Sequence, residues 1–275
     1  MMRHLRSAVL AAGFACAIGV PPAAAQVPPD LQPNTRIAID YIDPRTPKYD
    51  EFLERLRSRR VLEQLAQFLS PLRLPRVLRL RTKQCGVENA YYDNSEWSIT
   101  FCYEMLEFIE RLAPKQVDRG VTRQDVFIGS FVGIMLHELG HALFDILKVP
   151  VFGREEDAAD QIASFIMVQF GKEVALTTIK GTSYLWAVQP DPSIRAAFSD
   201  EHGTPSQRFY NILCVAYGGD PASFKEFVDA GLLPKARAEN CAREYKQAEY
   251  AFTQTVLPFV DQEQMKKVQA TRWLR

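Results

Sequence analysis

The stretch QDVFIGSFVGIMLHELGHALFDILK, residues 124–148, is the longest apolar run of the chain after residue 25. Its apolar residues fall on every face of a helix, which predicts a helix buried in the core of a folded domain. A membrane span is the competing interpretation. It would place ionisable side chains in lipid, which is costly; these are His137, Glu138, His141 and Asp145. We therefore expect a buried helix and no stable membrane span in the mature chain.

The same helix carries a spacing that is typical of a metal site. His137 and His141 are four positions apart, so both imidazoles project from one face. Glu138 follows about 100° around the helix, where its carboxylate can reach a water on a metal without binding the metal. This H-E-x-x-H pattern is the arrangement of zinc peptidases, in which the histidines bind Zn²⁺ and the glutamate is the general base. Gly140 costs a helix about 1 kcal/mol relative to alanine, which close packing of another element would explain.

A catalytic zinc ion takes three protein ligands and leaves one position open. The segment REEDAAD, residues 154–160, resembles the E-x-x-A-D signature of the glutamate-liganded zincins (gluzincins). The resemblance implies Glu156 as third ligand and Asp160, one turn later, as the acceptor for the outer nitrogen of a ligand histidine. Glu155 competes for the ligand position because the helix phase is open. The 15 positions from His141 to Glu156 are fewer than is usual for gluzincins, so the chain must return tightly. A charged first turn that only favours the helix dipole is the alternative.

Further motifs extend the likeness to a known family. They are HELGH at 137–141, GREEDAAD at 153–160, Cys214-x-x-Tyr217-Gly218-x-Asp220-Pro221, Cys85-Gly86-x-x-Asn89-Ala90-x-Tyr92 and Ile99-x-x-Cys102-Tyr103-Glu104. With them the chain resembles an uncharacterised family of exported bacterial proteins described as a metallopeptidase domain of unknown function. The resemblance runs from about residue 85 to the C-terminal helix. It implies a peptide or protein substrate without naming one.

A histidine outside the motif is the remaining candidate for catalysis. Zinc peptidases often place a His or Tyr opposite the metal to stabilise the oxyanion, and His202 can take this role. Its alternative is to pack or cap at a helix start. Tyr103 and Tyr217 are the other candidates for the oxyanion. Arg208 precedes a helical run and can pair with an acid, but no motif marks it as catalytic.

The first 25 residues predict a Sec-type signal peptide that is cleaved after Ala25. Arg3 and Arg6 precede an apolar run at 8–20 that is too short to span a bilayer. Three alanines at 23–25 then supply the small residues of a cleavage site. A retained N-terminal anchor is the alternative. We therefore expect a periplasmic or secreted protein.

Four cysteines remain after this cleavage: Cys85, Cys102, Cys214 and Cys241. An even number in an oxidising compartment predicts two disulfides, with three possible connectivities. We favour Cys85–Cys102 and Cys214–Cys241, because the members of each pair are close in sequence. No C-x-x-C spacing indicates a zinc knuckle or a redox site.

The rest of the chain predicts an α+β fold. Positive and negative side chains balance at 33 each, which favours no nucleic-acid partner. Residues 26–46 are proline-rich and predict an extended arm with one short strand at 36–42, and residues 47–275 predict one domain. Alternation predicts strands at 77–82 and 97–101; the second belongs to the sheet, with pairing to an extended substrate as the alternative. Helical spacing recurs at about 47–69, 103–112, 124–148, 154–170, 173–188, 204–217, 221–230 and 235–257. The expected architecture is zincin-like, a small N-terminal sheet with a mostly helical body.

These patterns lead first to an exported zinc metallopeptidase, with Zn²⁺ on His137, His141 and Glu156 and Glu138 as general base. An exported zinc protein that binds or scaffolds without catalysis is the second hypothesis; a closed fourth ligand position would favour it. A helical module without metal, held by disulfides, is the third.

Overall fold

A computed structural model describes residues 36–271 of the chain. The predicted signal peptide, its cleavage site and the first part of the predicted arm lie outside these residues. The predicted end of the domain, from residue 272, lies outside them as well.

Four short strands form one mixed sheet: β1 (Ile37–Tyr41), β2 (Leu78–Lys83), β3 (Ala90–Asp93) and β4 (Ser98–Cys102). Their order is β1-β2-β4-β3. β1 and β2 are parallel, β2 and β4 are parallel, and β3 is antiparallel to β4. β4, predicted at 97–101, is therefore an inner strand, and β1 and β3 are the two edge strands. The strand predicted at 36–42 is β1, so the sheet includes residues of the predicted arm.

Helices make up most of the remaining described residues. They are α1 (Asp50–Ser58), α2 (Val61–Phe68), α3 (Tyr103–Leu112), α4 (Arg123–Ile146), α5 (Glu155–Val168), α6 (Lys172–Ala187), α7 (Ile194–Ser199), α8 (Pro205–Gly219), α9 (Lys225–Asp229), α10 (Lys235–Ala238), α11 (Cys241–Thr255) and α12 (Gln262–Gln269). Short 3₁₀ helices lie at Pro47–Tyr49 and Leu257–Phe259. The predicted α+β fold, a small sheet near the N-terminus with a mostly helical body, is confirmed.

Helix α4 is the centre of the core. It begins with a capping box, in which the Thr122 hydroxyl accepts the Asp125 N–H and the Asp125 carboxylate accepts the Thr122 N–H. Sixteen of its residues are buried, and it packs against α5, α6, α3 and the sheet. Within residues 36–271 it alone has the length and hydropathy of a membrane span, a test that the buried core helix of a soluble protein also passes.

A tight return joins α4 to α5. The chain passes through Lys148 at φ 54° and Gly153 at φ 102°, both in the left-handed region that reverses its direction. The two helices then approach closely at Gly140. A Cβ on Gly140 would lie 3.0 Å from the Ala159 Cα, so only glycine fits without moving α5. This contact explains the costly glycine inside the motif.

Several predicted elements are divided or shifted in the structure. The helix predicted at 47–69 is a 3₁₀ turn followed by α1 and α2, which separate at Arg60 because its backbone has φ 51°. The helix predicted at 235–257 divides into α10 and α11 around Asn240. β3, α7 and α12 had no predicted counterpart. β3 has four residues, too few for a clear alternation.

Two disulfides tie the outer elements down. Cys85 bonds Cys102, which joins the loop after β2 to the end of β4. Cys214 bonds Cys241, which joins α8 to the start of α11. This is the connectivity favoured from the sequence.

Candidate metal centre

The two histidines of the motif converge on one carboxylate oxygen. His137 Nε2 lies 2.9 Å from Glu156 Oε2, and His141 Nε2 lies 3.4 Å from the same atom. The two Nε2 atoms are 3.3 Å apart. A tetrahedral Zn²⁺ with bonds of about 2.0–2.1 Å holds its ligand atoms roughly 3.3 Å from one another. The triangle of His137, His141 and Glu156 therefore has the dimensions of a zinc ligand set.

The neighbouring glutamates Glu155 and Glu156 lie on different sides of His141. Glu155 Oε1 is 2.8 Å from Nδ1 of His141, whereas Glu156 faces its Nε2. A carboxylate on Nδ1 accepts the N–H of that nitrogen, which leaves the Nε2 lone pair free for a metal. Of the two candidates for the third ligand, Glu156 alone has an oxygen beside both Nε2 atoms.

Asp160 holds the outer nitrogen of His137. Its Oδ1 lies 2.8 Å from His137 Nδ1, and the Arg208 guanidinium donates to both of its oxygens, at 2.7 and 2.5 Å. The guanidinium also stacks on Trp186, 3.9 Å from the ring centroid. Burial alone raises the pKa of Asp160, but the charge of Arg208 and the hydrogen bond with His137 outweigh it and lower the pKa. Asp160 is therefore ionised and accepts the Nδ1–H of His137.

His202 joins the same cluster from the link between α7 and α8. Its Nε2 lies 2.9 Å from Glu156 Oε2. Its Nδ1 is 3.2 Å from Asp200 Oδ1, which also accepts the backbone N–H of His202. One ligand atom from each of His137, Glu156 and His202 lies within 4.8 Å of the others. The oxyanion candidate predicted from the sequence thus faces the position where a metal would bind.

Glu138 lies in the wall of a cavity of about 1060 Å³ that opens onto the cluster. Its side chain is buried, and burial raises its pKa despite the neighbouring histidines. The edge strand β3 forms the opposite wall: the Tyr92 backbone hydrogen-bonds the Glu138 carboxylate, and the Tyr92 hydroxyl donates to Asp145 at 2.8 Å. A buried carboxylate with a raised pKa beside an open cavity has the properties of a general base.

The charges of the cluster favour a cation. Burial raises the pKa of Glu156, but hydrogen bonds with the three imidazoles outweigh it and hold this pKa far below its ordinary value. Burial lowers the pKa of His137, but the hydrogen bonds with Asp160 and Glu156 outweigh it, so the pKa is raised. The pKa of His202 is raised chiefly by Glu156. Protons on these imidazoles balance the carboxylates, and a bound divalent metal would replace those protons.

Other candidates lie apart from this cluster. Tyr103 is buried in the core, where its hydroxyl donates to the Ile42 carbonyl at 2.7 Å, and neither Tyr103 nor Tyr217 lines the cavity. Among the described residues, a second group of side chains of the kinds that bind metals consists of Cys85, Cys102 and Glu104. Its cysteines form a disulfide, and the Glu104 carboxylate accepts the N–H of Cys85. It is a structural cluster.

Three residues of the site carried no signal of their own. The sequence predicted only that Arg208 can pair with an acid; in the structure this acid is Asp160. Asp200 could have been found, because a carboxylate two residues before a histidine can reach its Nδ1. Tyr92 ends the motif that begins at Cys85, but no pattern connected this segment to the helix that carries His137.

A family profile, DUF4344, described as "Putative metallopeptidase", matches residues 41–256. The match covers more than half of the chain, including both disulfides and every residue of the cluster. No curated protein matches the sequence significantly, and no solved structure does.

Proposed function

The chain belongs to the DUF4344 metallopeptidase family, and we propose that it hydrolyses peptide bonds with a zinc ion held by His137, His141 and Glu156. One observation carries this proposal: the Nε2 atoms of the two histidines and the Glu156 oxygen stand 2.9–3.4 Å apart, as the ligands of a tetrahedral zinc ion do. Imidazole nitrogens with a carboxylate oxygen suit zinc better than the harder Mg²⁺ or Ca²⁺. When bound, zinc polarises a substrate carbonyl and lowers the pKa of water.

Glu138 is the general base in this proposal. Its buried carboxylate, with a raised pKa, accepts a proton from the attacking water and passes it to the leaving amine. The Tyr92 backbone N–H holds the carboxylate beside the cavity wall. His202, kept in place by Asp200, supplies the hydrogen bond that stabilises the oxyanion.

The substrate is an extended peptide. Of the two edge strands of the sheet, β1 and β3, it is β3 that lines the cavity next to Glu138. An edge strand offers backbone donors and acceptors to an added strand. We therefore place the substrate along β3, with the scissile bond between Glu138 and His202.

Export is part of the same proposal. The predicted signal peptide motivates it, and the two disulfides are of the kind that persists in a periplasmic or extracellular setting. The predicted signal peptide and the disulfides together support a peptidase that works outside the cytoplasm.

The test is Glu138→Gln, which keeps the shape of the side chain and removes the base. We expect this variant to keep its zinc, measured by elemental analysis, and to cleave a library of unstructured peptides about 10²–10⁴-fold more slowly. Glu173→Gln, an exposed glutamate on α6, is the matched control and should retain both properties. Full hydrolytic activity in Glu138→Gln would refute the proposed mechanism.

An exported zinc-binding protein without catalysis is the second candidate function. It is favoured by the position of His202, whose Nε2 lies beside Glu156 and could close the metal site. Wild-type protein that binds zinc and cleaves no peptide in the library would support this alternative.

A further inference from the structure

All three histidines within residues 36–271 point Nε2 at the same atom. Glu156 Oε2 lies 2.9 Å from His137, 3.4 Å from His141 and 2.9 Å from His202. His202 is therefore as close to this oxygen as the first histidine of the motif, and closer than the second. His137, Glu156 and His202 each offer a ligand atom within 4.8 Å of the other two.

The outer nitrogens repeat the same pattern. Each Nδ1 faces its own carboxylate: His137 faces Asp160 at 2.8 Å, His141 faces Glu155 at 2.8 Å and His202 faces Asp200 at 3.2 Å. A carboxylate on one ring nitrogen sets the tautomer and presents the other nitrogen to a metal. This is the environment of a ligand histidine, and His202 has it in full.

We propose that His202 is a fourth protein ligand of the metal, which closes the site at rest and leaves it when a peptide enters the cavity. The proposal rests on the proposed function and adds its regulation. With a metal bound, release of His202 would break the bond from its Nε2 and leave that position to a water, so no net charge or proton would be transferred in the exchange. The released imidazole stays beside the cavity, where it serves the oxyanion.

The fold makes His202 the ligand that can leave. It lies on the short link between α7 and α8, with 46% of its side chain exposed, against 6% for His137 and 15% for His141. Its carboxylate partner Asp200 is itself exposed. The other two histidines are fixed on α4, in the core. Displacement of His202 therefore requires movement of a surface link only.

Cobalt substitution tests the coordination directly. Four protein ligands fill the positions of a tetrahedral site, so we expect wild-type protein loaded with Co²⁺ to bind azide far more weakly than the variant without His202, judged from the visible spectrum. His202→Ala should bind azide with a change in the visible bands, and its zinc affinity, measured by competition with a chelator, should fall more than about tenfold. His202→Gln should behave in the same way, which guards against a folding defect in one variant. Glu201→Gln, its exposed neighbour, should match the wild type.

Two failures are distinguishable in this experiment. Azide binding by the wild type as strong as that of His202→Ala would overturn the fourth ligand and leave the zinc peptidase proposal intact. Wild-type protein that takes up neither cobalt nor zinc would overturn the proposed function, and the fourth ligand with it.

Discussion

Replacement of Asp160 by asparagine should change two measurable quantities, the stability of the fold and the affinity for zinc. The Asp160 carboxylate contacts His137 at 2.8 Å and accepts two hydrogen bonds from Arg208. Both side chains of this ion pair are nearly buried, with 13% of Asp160 and 11% of Arg208 exposed. Asparagine keeps the shape but leaves the guanidinium without its counterion. Breaking a buried ion pair in this way costs about 3–5 kcal/mol of folding free energy.

The same change weakens the hold on His137. The asparagine oxygen can still accept the Nδ1–H of His137, but it carries no negative charge, so the hydrogen bond is weaker. Loss of such an outer contact lowers metal affinity by about 10–100-fold, which corresponds to roughly 1.4–2.7 kcal/mol. We expect both effects in Asp160→Asn. Urea unfolding of the metal-free protein measures the first, and competition with a chromophoric zinc chelator measures the second.

A double variant assigns the two effects to their causes. Asp160→Asn combined with Arg208→Met removes both buried charges, which is often neutral for stability, so unfolding should return close to the wild type. Zinc affinity should stay low, because His137 still lacks its charged acceptor. Asp40→Asn, which breaks the more exposed pair of Asp40 with Arg79, should cost at most about 1 kcal/mol. If zinc affinity recovers in the double variant together with stability, Asp160 acts only through the fold and the reasoning fails.

Two further predictions concern the packing of the site and its protons. Gly140→Ala gains about 1 kcal/mol of helix propensity, but its Cβ meets Ala159 at an overpacking cost of about 1–3 kcal/mol. The melting temperature and the zinc affinity, measured by thermal unfolding and by titration, should therefore both be lower than in the wild type. A variant that is more stable and keeps wild-type zinc affinity would contradict the contact. Burial lowers the pKa of His141, but hydrogen bonds with Glu156 and Glu155 outweigh it and raise the pKa from 6.5 to about 9. This raised pKa stabilises the metal-free protein fully below about pH 6.5, and the stabilisation is lost as the pH rises towards 9. The melting temperature should therefore fall across this window without zinc, and a flat profile would contradict it.

The sequence predicted the long elements of the fold and missed the short ones. Helices α4 and α5 have enough residues for their apolar pattern to be read. β3 has only four residues between turns, and α12 buries a single residue, Val268, so neither carries a pattern. The break between α1 and α2 depends on a left-handed backbone at Arg60. The local sequence does not predict it, because an arginine rarely adopts this conformation.

The candidate site divides in the same way. His137, Glu138 and His141 follow from spacing on one helix, because neighbours on a helix keep fixed angles. Glu155 and Glu156 could not be separated from the sequence, since adjacent residues differ by about 100° and the choice depends on how α5 packs on α4. The contact of Gly140 with Ala159 sets that packing.

The cluster also shows why a short return between α4 and α5 suffices. The first turn of α5 supplies the metal-facing oxygen from Glu156 and the outer acceptor of His141 from Glu155, and its next turn supplies the outer acceptor of His137 from Asp160. Anionic side chains are favoured at a helix N-terminus by its dipole, so the helix start that faces α4 can hold these carboxylates together without metal. A cation bound there would join α4, α5 and the link that carries His202, and anything that binds only the folded chain stabilises it, by about 4 kcal/mol at a concentration 1,000 times its dissociation constant. The candidate metal centre and the core are therefore coupled through one helix turn, and a change that moves α5 away from α4 should weaken metal binding even where it touches no proposed ligand.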